Sequence, residues 1–208
     1  MEPVADAGAH AAPKEPLSFE AFLRQYDDTH AEWVNGEVVP KMPASVEHQD
    51  TSMFLLSLIV NWVAYHELGK VYHPPLLVKL PLPDTREVAR EPDIVVILNG
   101  NSGRFAEQYF DGAPDLIVEI ASPASRHTDR TVKYEEYETA GVPEYWLVDP
   151  DRQYAEFFQR DDAGLYRVAF SGSEGVYRSR VLEGFWLQVE WLWIRPPLRE
   201  VLTRLGLA

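Results

Sequence analysis

A glutamate inside an apolar run is the feature that most constrains the fold of this chain. Residues 116–120 read Leu-Ile-Val-Glu-Ile, which is typical of a buried strand. Because side chains alternate across a strand, Glu119 shares a face with Ile117 and Asp115. A carboxylate on a buried face costs several kcal/mol unless it is paired or binds a cation. Glu119 therefore predicts a charged internal site, unless this face is open to water or meets a structural arginine.

Composition places the chain among ordinary globular proteins. Its 208 residues are 46% hydrophobic and 25% charged, enough to bury a core in one domain. The absence of cysteine excludes disulfides, thiol catalysis and thiolate metal sites. With 19 Lys+Arg against 33 Asp+Glu, the formal net charge is −14, which excludes a uniformly basic surface. A polyanionic partner must be held by a local basic patch or through a metal ion.

The order of predicted elements indicates an α/β or α+β fold, in which a mixed sheet is flanked by helices. Residues 1–16, rich in Ala and Pro, predict a disordered tail, and residues 17–208 predict a single domain. The predicted helices are 19–26 (with Ser18 as N-cap), 46–68 and 131–139, and the predicted strands are 37–41, 76–82, 93–98, 115–121, 144–148, 154–159, 165–170 and 185–189.

No membrane partner is expected. The most apolar stretch, residues 53–64, is too short to cross a bilayer and contains Ser57 and Asn61. The N-terminus lacks the charged start and apolar run of a signal peptide. We therefore expect a cytoplasmic location.

A second carboxylate stands at the start of an apolar strand. Asp93, in Glu91-Pro92-Asp93, precedes the run Ile-Val-Val-Ile-Leu at 94–98. If this strand neighbours that of Glu119, the two carboxylates could hold Mg²⁺ or Mn²⁺, which favour oxygen ligands. Alternatively, Asp93 is a strand-start aspartate that accepts hydrogen bonds from backbone amides.

Basic residues follow the Glu119 strand. Lys133 falls in the first turns of the next predicted helix, where the helix dipole disfavours a cation. Beside two carboxylates and a metal, it could orient an attacking water and stabilise charge on a phosphoryl transition state; otherwise it faces solvent. Arg126 and Arg130 indicate phosphate contacts or plain surface charge. Asp129 is interpreted as a helix N-cap.

His48, near the start of the longest helix, is either a metal ligand or the partner in a helix-terminal hydrogen bond. The sequence contains no HExxH, P-loop, GxGxxG or GxSxG motif. The sequence therefore lacks the motifs that are typical of zinc proteases, P-loop NTPases and α/β-hydrolases.

Several segments, taken in order, resemble the Uma2 family of restriction-endonuclease-like proteins over roughly residues 17–198. The most specific match is GAPDLIVEIASP at 112–123. The other matching parts are AEWVNGEV at 31–38, His48, EPDIVV at 91–96, Asp129, Lys133, Tyr137 and AGVPEYWLVDP at 140–150.

The resemblance implies a PD-(D/E)XK nuclease core. In such nucleases an Asp and a Glu on adjacent strands bind Mg²⁺, and a Lys two residues beyond the Glu completes the set. That position is Ala121 here, so Lys133 is the implied replacement, acting with Asp93 and Glu119. An early glutamate, Glu37 or alternatively Glu32, is the implied additional metal ligand. Secondary candidates are Glu32, His48 and Asp115, the last about 13 Å from Glu119 along its strand.

These features lead to hypotheses of different classes. The first is an endonuclease that uses Mg²⁺ or Mn²⁺ to hydrolyse phosphodiester bonds in DNA. The second is a catalytically degenerate interaction or DNA-binding module, homodimeric through residues such as Trp186, Trp191 and Trp193. The net charge and the missing Glu-x-Lys favour the module. A third is an acid–base carboxylate pair acting on another phosphoester or a glycoside.

Overall fold

The computed structural model describes residues 15–26, 29–83 and 85–207. Residues 1–14 of the predicted disordered tail lie outside this range. The helices are α1 (Phe19–Gln25), α2 (Val46–Tyr65), α3 (Arg126–Arg130), α4 (Val132–Ala140), α5 (Trp191–Ile194) and α6 (Leu198–Arg204). The strands are β1 (Ala31–Val34), β2 (Glu37–Pro40), β3 (Gly69–Tyr72), β4 (Leu77–Lys79), β5 (Val88–Arg90), β6 (Ile94–Leu98), β7 (Arg104–Phe105), β8 (Tyr109–Asp111), β9 (Leu116–Ile120), β10 (Glu144–Asp149), β11 (Tyr154–Arg160), β12 (Tyr166–Gly172), β13 (Val176–Arg178) and β14 (Trp186–Gln188).

A six-stranded mixed sheet lies at the centre of the protein. Its strand order is β12-β11-β10-β9-β6-β3. Strands β9 and β10 run parallel, and the other neighbouring pairs run antiparallel. Every residue of β9 and β10 is buried, because both faces of the sheet are covered. This double burial explains why these strands are almost continuously apolar in sequence.

Helices α2, α5 and α6 cover one face of the central sheet. Leu55, Leu58 and Ile59 of α2 are fully buried and pack in one cluster with Ile94 and Val118 of the sheet. Truncating a buried Leu or Ile of this kind to Ala typically costs about 2–5 kcal/mol. Helix α2 therefore holds the strand pair β6–β9 from one side.

The opposite face packs against α4 and a second six-stranded sheet, ordered β2-β1-β5-β4-β8-β7. Val95 and Ile117 of the central sheet share a cluster with Val78 of the second sheet and with Tyr137 of α4. Helix α1 lies against the second sheet, where Phe19 contacts the ring of Trp33. The predicted mixed sheet flanked by helices is confirmed.

Several local predictions are confirmed and others need correction. Ser18 caps α1 as predicted, since its side chain accepts from the Ala21 N–H. Helix α2 ends at Tyr65 rather than residue 68. Asp129 is not an N-cap: it lies inside α3, whose N-cap position is Ser125. The short strands β1, β3, β5, β7, β8 and β13 were not predicted, since two to four residues are too few to show a period.

The tryptophans predicted for a dimer interface belong to the core or its margin. Trp191 is 3% exposed and packs in the core cluster on the α2 face, so it is not available to a partner. Trp186 and Trp193 are partly buried against the same cluster. Among the described residues, no helix is both long enough and apolar enough to span a bilayer.

Gly69 allows a close approach between the edge strand β3 and its neighbour β6. A Cβ at this position would lie 2.2 Å from the Ile97 carbonyl oxygen and 2.7 Å from the Leu98 Cα, both backbone atoms. We predict that Gly69→Ala lowers the free energy of unfolding by roughly 1–3 kcal/mol, because the strands must separate. Urea denaturation measures this change.

Gly100→Ala is the matched control, since no atom lies within 4 Å of a Cβ built there. Its free energy of unfolding should change by less than about 1 kcal/mol. Equal stability of the two variants would contradict the packing described for β3 and β6.

Candidate active site

The register of β6 and β9 sets Asp93 opposite Glu119. Ile94 pairs with Val118 in this antiparallel pair, so the residues one step outward, Asp93 and Glu119, face each other. Directly opposed residues have Cβ atoms about 4.5–5.5 Å apart. Asp93 is 6% and Glu119 2% exposed. Two buried carboxylates on neighbouring strands therefore lie side by side.

Both carboxylates lie on the same face of the sheet. Alternation along each strand puts Asp93 on the side of Val95, and Glu119 on the side of Ile117. Val95 and Ile117 belong to the same core cluster, between the central sheet and the second sheet. The cluster of charges thus lies at one end of the layer between the two sheets.

Asp93 is held mainly through one of its two oxygens. Oδ2 accepts a hydrogen bond from the Ile120 N–H at 2.7 Å and lies 3.3 Å from His48 Nε2. Oδ1 lies 3.5 Å from Lys41 Nζ. Burial alone would raise the pKa of Asp93, but the His48 hydrogen bond and the Lys41 charge lower it to about 2. Asp93 therefore remains ionised and also satisfies a backbone amide, as the alternative interpretation predicted.

Glu119 has the opposite electrostatic character. Its Oε1 accepts hydrogen bonds from Lys133 Nζ at 3.0 Å and Tyr137 Oη at 2.6 Å. Burial raises the pKa of Glu119 to about 7, helped by the charges of Asp129 and Asp93 and opposed by Lys133. Among the described residues, no hydrogen bond uses Oε2. Glu119 is thus a carboxyl group with a poorly compensated charge and one oxygen without a hydrogen bond.

Lys133 is the cation at the centre of this cluster. Its Nζ lies 2.9 Å from Glu32, 3.0 Å from Glu119 and 3.5 Å from Asp129, and its side chain is 6% exposed. Burial would lower the pKa of Lys133, but the three carboxylates raise it well above the usual value. These carboxylates explain a lysine in the first turn of α4, where the helix dipole disfavours it.

A buried network fixes Glu32 beneath Lys133. Glu32 Oε1 is the oxygen nearest Lys133, and Oε2 accepts from Arg90 Nη1 at 2.7 Å. Arg90 in turn donates to both oxygens of Glu136 at 2.8 Å. Burial would raise the pKa of Glu32, but Lys133 and Arg90 lower it to about 2. With both oxygens engaged, Glu32 anchors Lys133.

Lys41 and Tyr137 belong to the cluster although sequence reasoning assigned them no role. Lys41 Nζ donates to the Glu91 carbonyl oxygen at 2.7 Å, besides its contact with Asp93, and its side chain is 26% exposed. Tyr137 lies four residues after Lys133, on the same side of α4, so helical spacing could have revealed it. Lys41 has no such local signal, because the β1–β2 hairpin carries it to the site.

The structure does not bring Glu37 or Asp115 into the cluster. Glu37 is exposed on β2, and among the described residues no hydrogen bond or ion pair joins it to Asp93 or Glu119. Asp115 accepts hydrogen bonds from the Leu98 N–H and Asn101 Nδ2, both at 2.8 Å. Asp115 therefore accepts hydrogen bonds from the end of β6 and the loop that follows it, at the opposite end of β9 from Glu119.

The arginines predicted to bind phosphate are engaged by carboxylates. Arg126 forms a two-point ion pair with Asp149, at 2.5 and 2.9 Å. Arg130 Nε donates to Glu156 at 2.8 Å, whereas Arg130 Nη1 is buried without a hydrogen bond. Ion pairing offsets most of the positive charge predicted for this surface.

The donor set consists of oxygen atoms, which a hard divalent cation prefers as ligands. Asp93 and Glu119 supply carboxylate oxygens, and Asp129 Oδ1 nearby is buried without a hydrogen bond. Within the described ranges, no group of three or more His, Asp or Glu side chains is arranged to hold a metal ion. Mg²⁺ is usually held by one or two carboxylates, with water and substrate phosphates completing its shell. The carboxylate pair fits such a site.

We predict that Lys133→Met lowers the free energy of unfolding by roughly 3–5 kcal/mol, since it leaves buried carboxylates without their cation. Urea denaturation at neutral pH measures the loss. Lys70→Met, at an exposed lysine on β3, is the control and should stay near wild type. A Lys133→Met protein as stable as wild type would contradict the central role of this ammonium.

A second prediction concerns pH. The pKa of Glu32 is lowered from 4.5 to about 2, so its ionised form stabilises the folded state by about 3 kcal/mol above pH 4.5. This stabilisation is lost as pH falls through the folded-state pKa. The stability difference between wild type and Glu32→Gln should therefore shrink as pH falls from 7 to 3. Glu37→Gln should show little difference at any pH, and a pH-independent effect of Glu32→Gln would contradict the network.

Comparison with known proteins agrees with this architecture. The model of the Uma2 family, described as "putative restriction endonuclease", matches residues 19–190. No curated protein matches the chain. Among solved structures, the protein is similar to the crystal structure of a putative nuclease belonging to DUF820 from Anabaena variabilis ATCC 29413. The TM-score is 0.71 at 20% identity, over 86% of this chain and 98% of that chain, a likeness that shows a shared fold. By its match to the family model, the chain belongs to the Uma2 family.

Proposed function

We propose that this protein is a metal-dependent endonuclease that hydrolyses phosphodiester bonds in DNA. The observation that carries the proposal is the pair of buried carboxylates, Asp93 and Glu119, opposed on neighbouring strands of the central sheet. Carboxylate oxygens are the ligands that Mg²⁺ and Mn²⁺ favour. Membership of a family described as putative restriction endonuclease supports the same reaction class.

Asp93 and Glu119 would hold the ion. When bound, Mg²⁺ or Mn²⁺ lowers the pKa of a coordinated water and offsets charge on the phosphoryl oxygens. The raised pKa of Glu119 is consistent with this role, because a neighbouring cation favours the ionised form that burial and Asp129 disfavour.

The surrounding residues hold each carboxylate by one oxygen. Lys133 and Tyr137 both donate to Glu119 Oε1, so Oε2 is left for another ligand. The Ile120 amide and His48 hold Asp93 at Oδ2, whereas among the described residues the hydrogen-bond partner of Oδ1 is Lys41. In hydrolysis, a water oxygen bonds to phosphorus and one P–O ester bond breaks. The leaving oxygen gains a proton, which gives a phosphomonoester and an alcohol.

A non-catalytic interaction module on the same fold is the second candidate. It is favoured by the net charge of −14 and by the pairing of Arg126 and Arg130 with acidic side chains, which leaves little basic surface for DNA. Such a module would take up no Mn²⁺ between Asp93 and Glu119. Metal binding therefore separates the two candidates.

The test combines Mn²⁺ titration with plasmid nicking in Mg²⁺ or Mn²⁺. We predict that Asp93→Asn and Glu119→Gln each weaken Mn²⁺ binding and reduce nicking at least about 100-fold, since each removes a ligand charge. Glu37→Gln removes an exposed carboxylate outside the cluster and should behave as wild type. Nicking by Glu119→Gln at the wild-type rate would refute the assignment.

A further inference from the structure

We infer that Lys41, rather than Lys133, supplies the ammonium that contacts the phosphodiester at this site. The inference rests on the proposed function, because it names the group that meets the phosphate of the same substrate. It places a binding role on a residue just after the β1–β2 hairpin, outside the strands and helix that carry Asp93, Glu119 and Lys133.

Lys133 is enclosed by carboxylates and nearly shielded from solvent. Its Nζ lies 2.9 Å from Glu32 and 3.0 Å from Glu119, with Asp129 at 3.5 Å, and its side chain is 6% exposed. A water or a phosphate at Lys133 would have to compete with Glu32 and Glu119 inside the protein, where an unpaired carboxylate is costly. Its contact with Glu119 Oε1 makes it a positioning residue for that carboxylate.

Lys41 has an N–H to spare and access to solvent. Its Nζ donates to the Glu91 carbonyl oxygen at 2.7 Å and to Asp93 Oδ1 at 3.5 Å, and the Glu91 carboxylate lies 3.9 Å away. Because an ammonium has three N–H groups, one is left for a ligand. Of the basic side chains that contact Asp93 or Glu119, Lys41 is the most exposed, at 26% against 14% for His48 and 6% for Lys133. A ligand arriving from solvent therefore meets the ammonium of Lys41 first.

The position of Lys41 relative to Asp93 strengthens this assignment. Its Nζ lies nearest Oδ1, whereas the Ile120 amide and His48 both occupy Oδ2. If a cation binds Asp93 through Oδ1, an anion that coordinates the same cation would lie beside the Lys41 ammonium. A lysine binds phosphate as a compact point charge.

The charge distribution leaves few alternatives for holding a phosphate. The protein carries a net charge of −14, and Arg126 and Arg130 are each paired with an acidic side chain. Arg90 is buried between Glu32 and Glu136. Within the charged cluster, Lys41 is therefore the cation best placed to offset the charge of a phosphodiester.

The test measures cleavage and binding separately in Lys41→Met, with Lys70→Met as the control. We expect Lys41→Met to lower the single-turnover cleavage rate about 100-fold, the usual effect of losing one donor to a charged transition state. Binding of a short labelled duplex is followed by fluorescence anisotropy with Ca²⁺ in place of Mg²⁺, as a function of salt. Loss of one phosphate contact should reduce the slope of log K against log salt by about one.

Lys70→Met should leave both the cleavage rate and the slope at wild-type values, and thermal unfolding checks that each variant folds. If Lys41→Met does not fold, the milder Lys41→Gln takes its place. Wild-type cleavage and an unchanged slope in a folded Lys41 variant would overturn this inference while the nuclease assignment stands. If the wild type neither binds nor cuts DNA, the proposed function fails and the role of Lys41 fails with it.

Discussion

The packing of this protein around its charged cluster depends on the buried ammonium of Lys133. It forms ion pairs with Glu119 on β9, Glu32 on β1 and Asp129 on α3, so one charge joins the central sheet, the second sheet and a helix. Burying any of these carboxylates in its ionised form without a cation would cost several kcal/mol. The register of β6 and β9 sets Asp93 opposite Glu119, and the ion pairs of Lys133 allow Glu119 to be buried there.

The two opposed carboxylates differ because their surroundings differ. His48, Lys41 and a backbone amide stabilise the charge of Asp93, and its pKa falls to about 2. Glu119 is buried among other carboxylates, and its pKa rises to about 7 despite Lys133. Under the proposed function, a divalent cation bound between the two carboxylates would favour the ionised form of Glu119, which burial disfavours.

Local sequence could predict the residues whose position follows from one element. Glu119 and Asp93 were predicted because each interrupts or opens an apolar strand, and Lys133 because it falls at a helix start. The positions of the other site residues depend on pairing between segments that are distant in sequence. Glu32 and Glu37 flank the same turn, but only the register of β1 with β2 and β5 buries Glu32 beside Arg90 and leaves Glu37 exposed. The spacing of charges along the chain does not contain that information.

The most direct test of the central claim is a crystal structure of the wild-type protein soaked in Mn²⁺, with anomalous scattering used to locate the metal. The account predicts an anomalous peak that contacts carboxylate oxygens of both Asp93 and Glu119, while Lys133 keeps its ion pairs. An ordered site with no manganese, or a peak bound elsewhere on the protein, would contradict it.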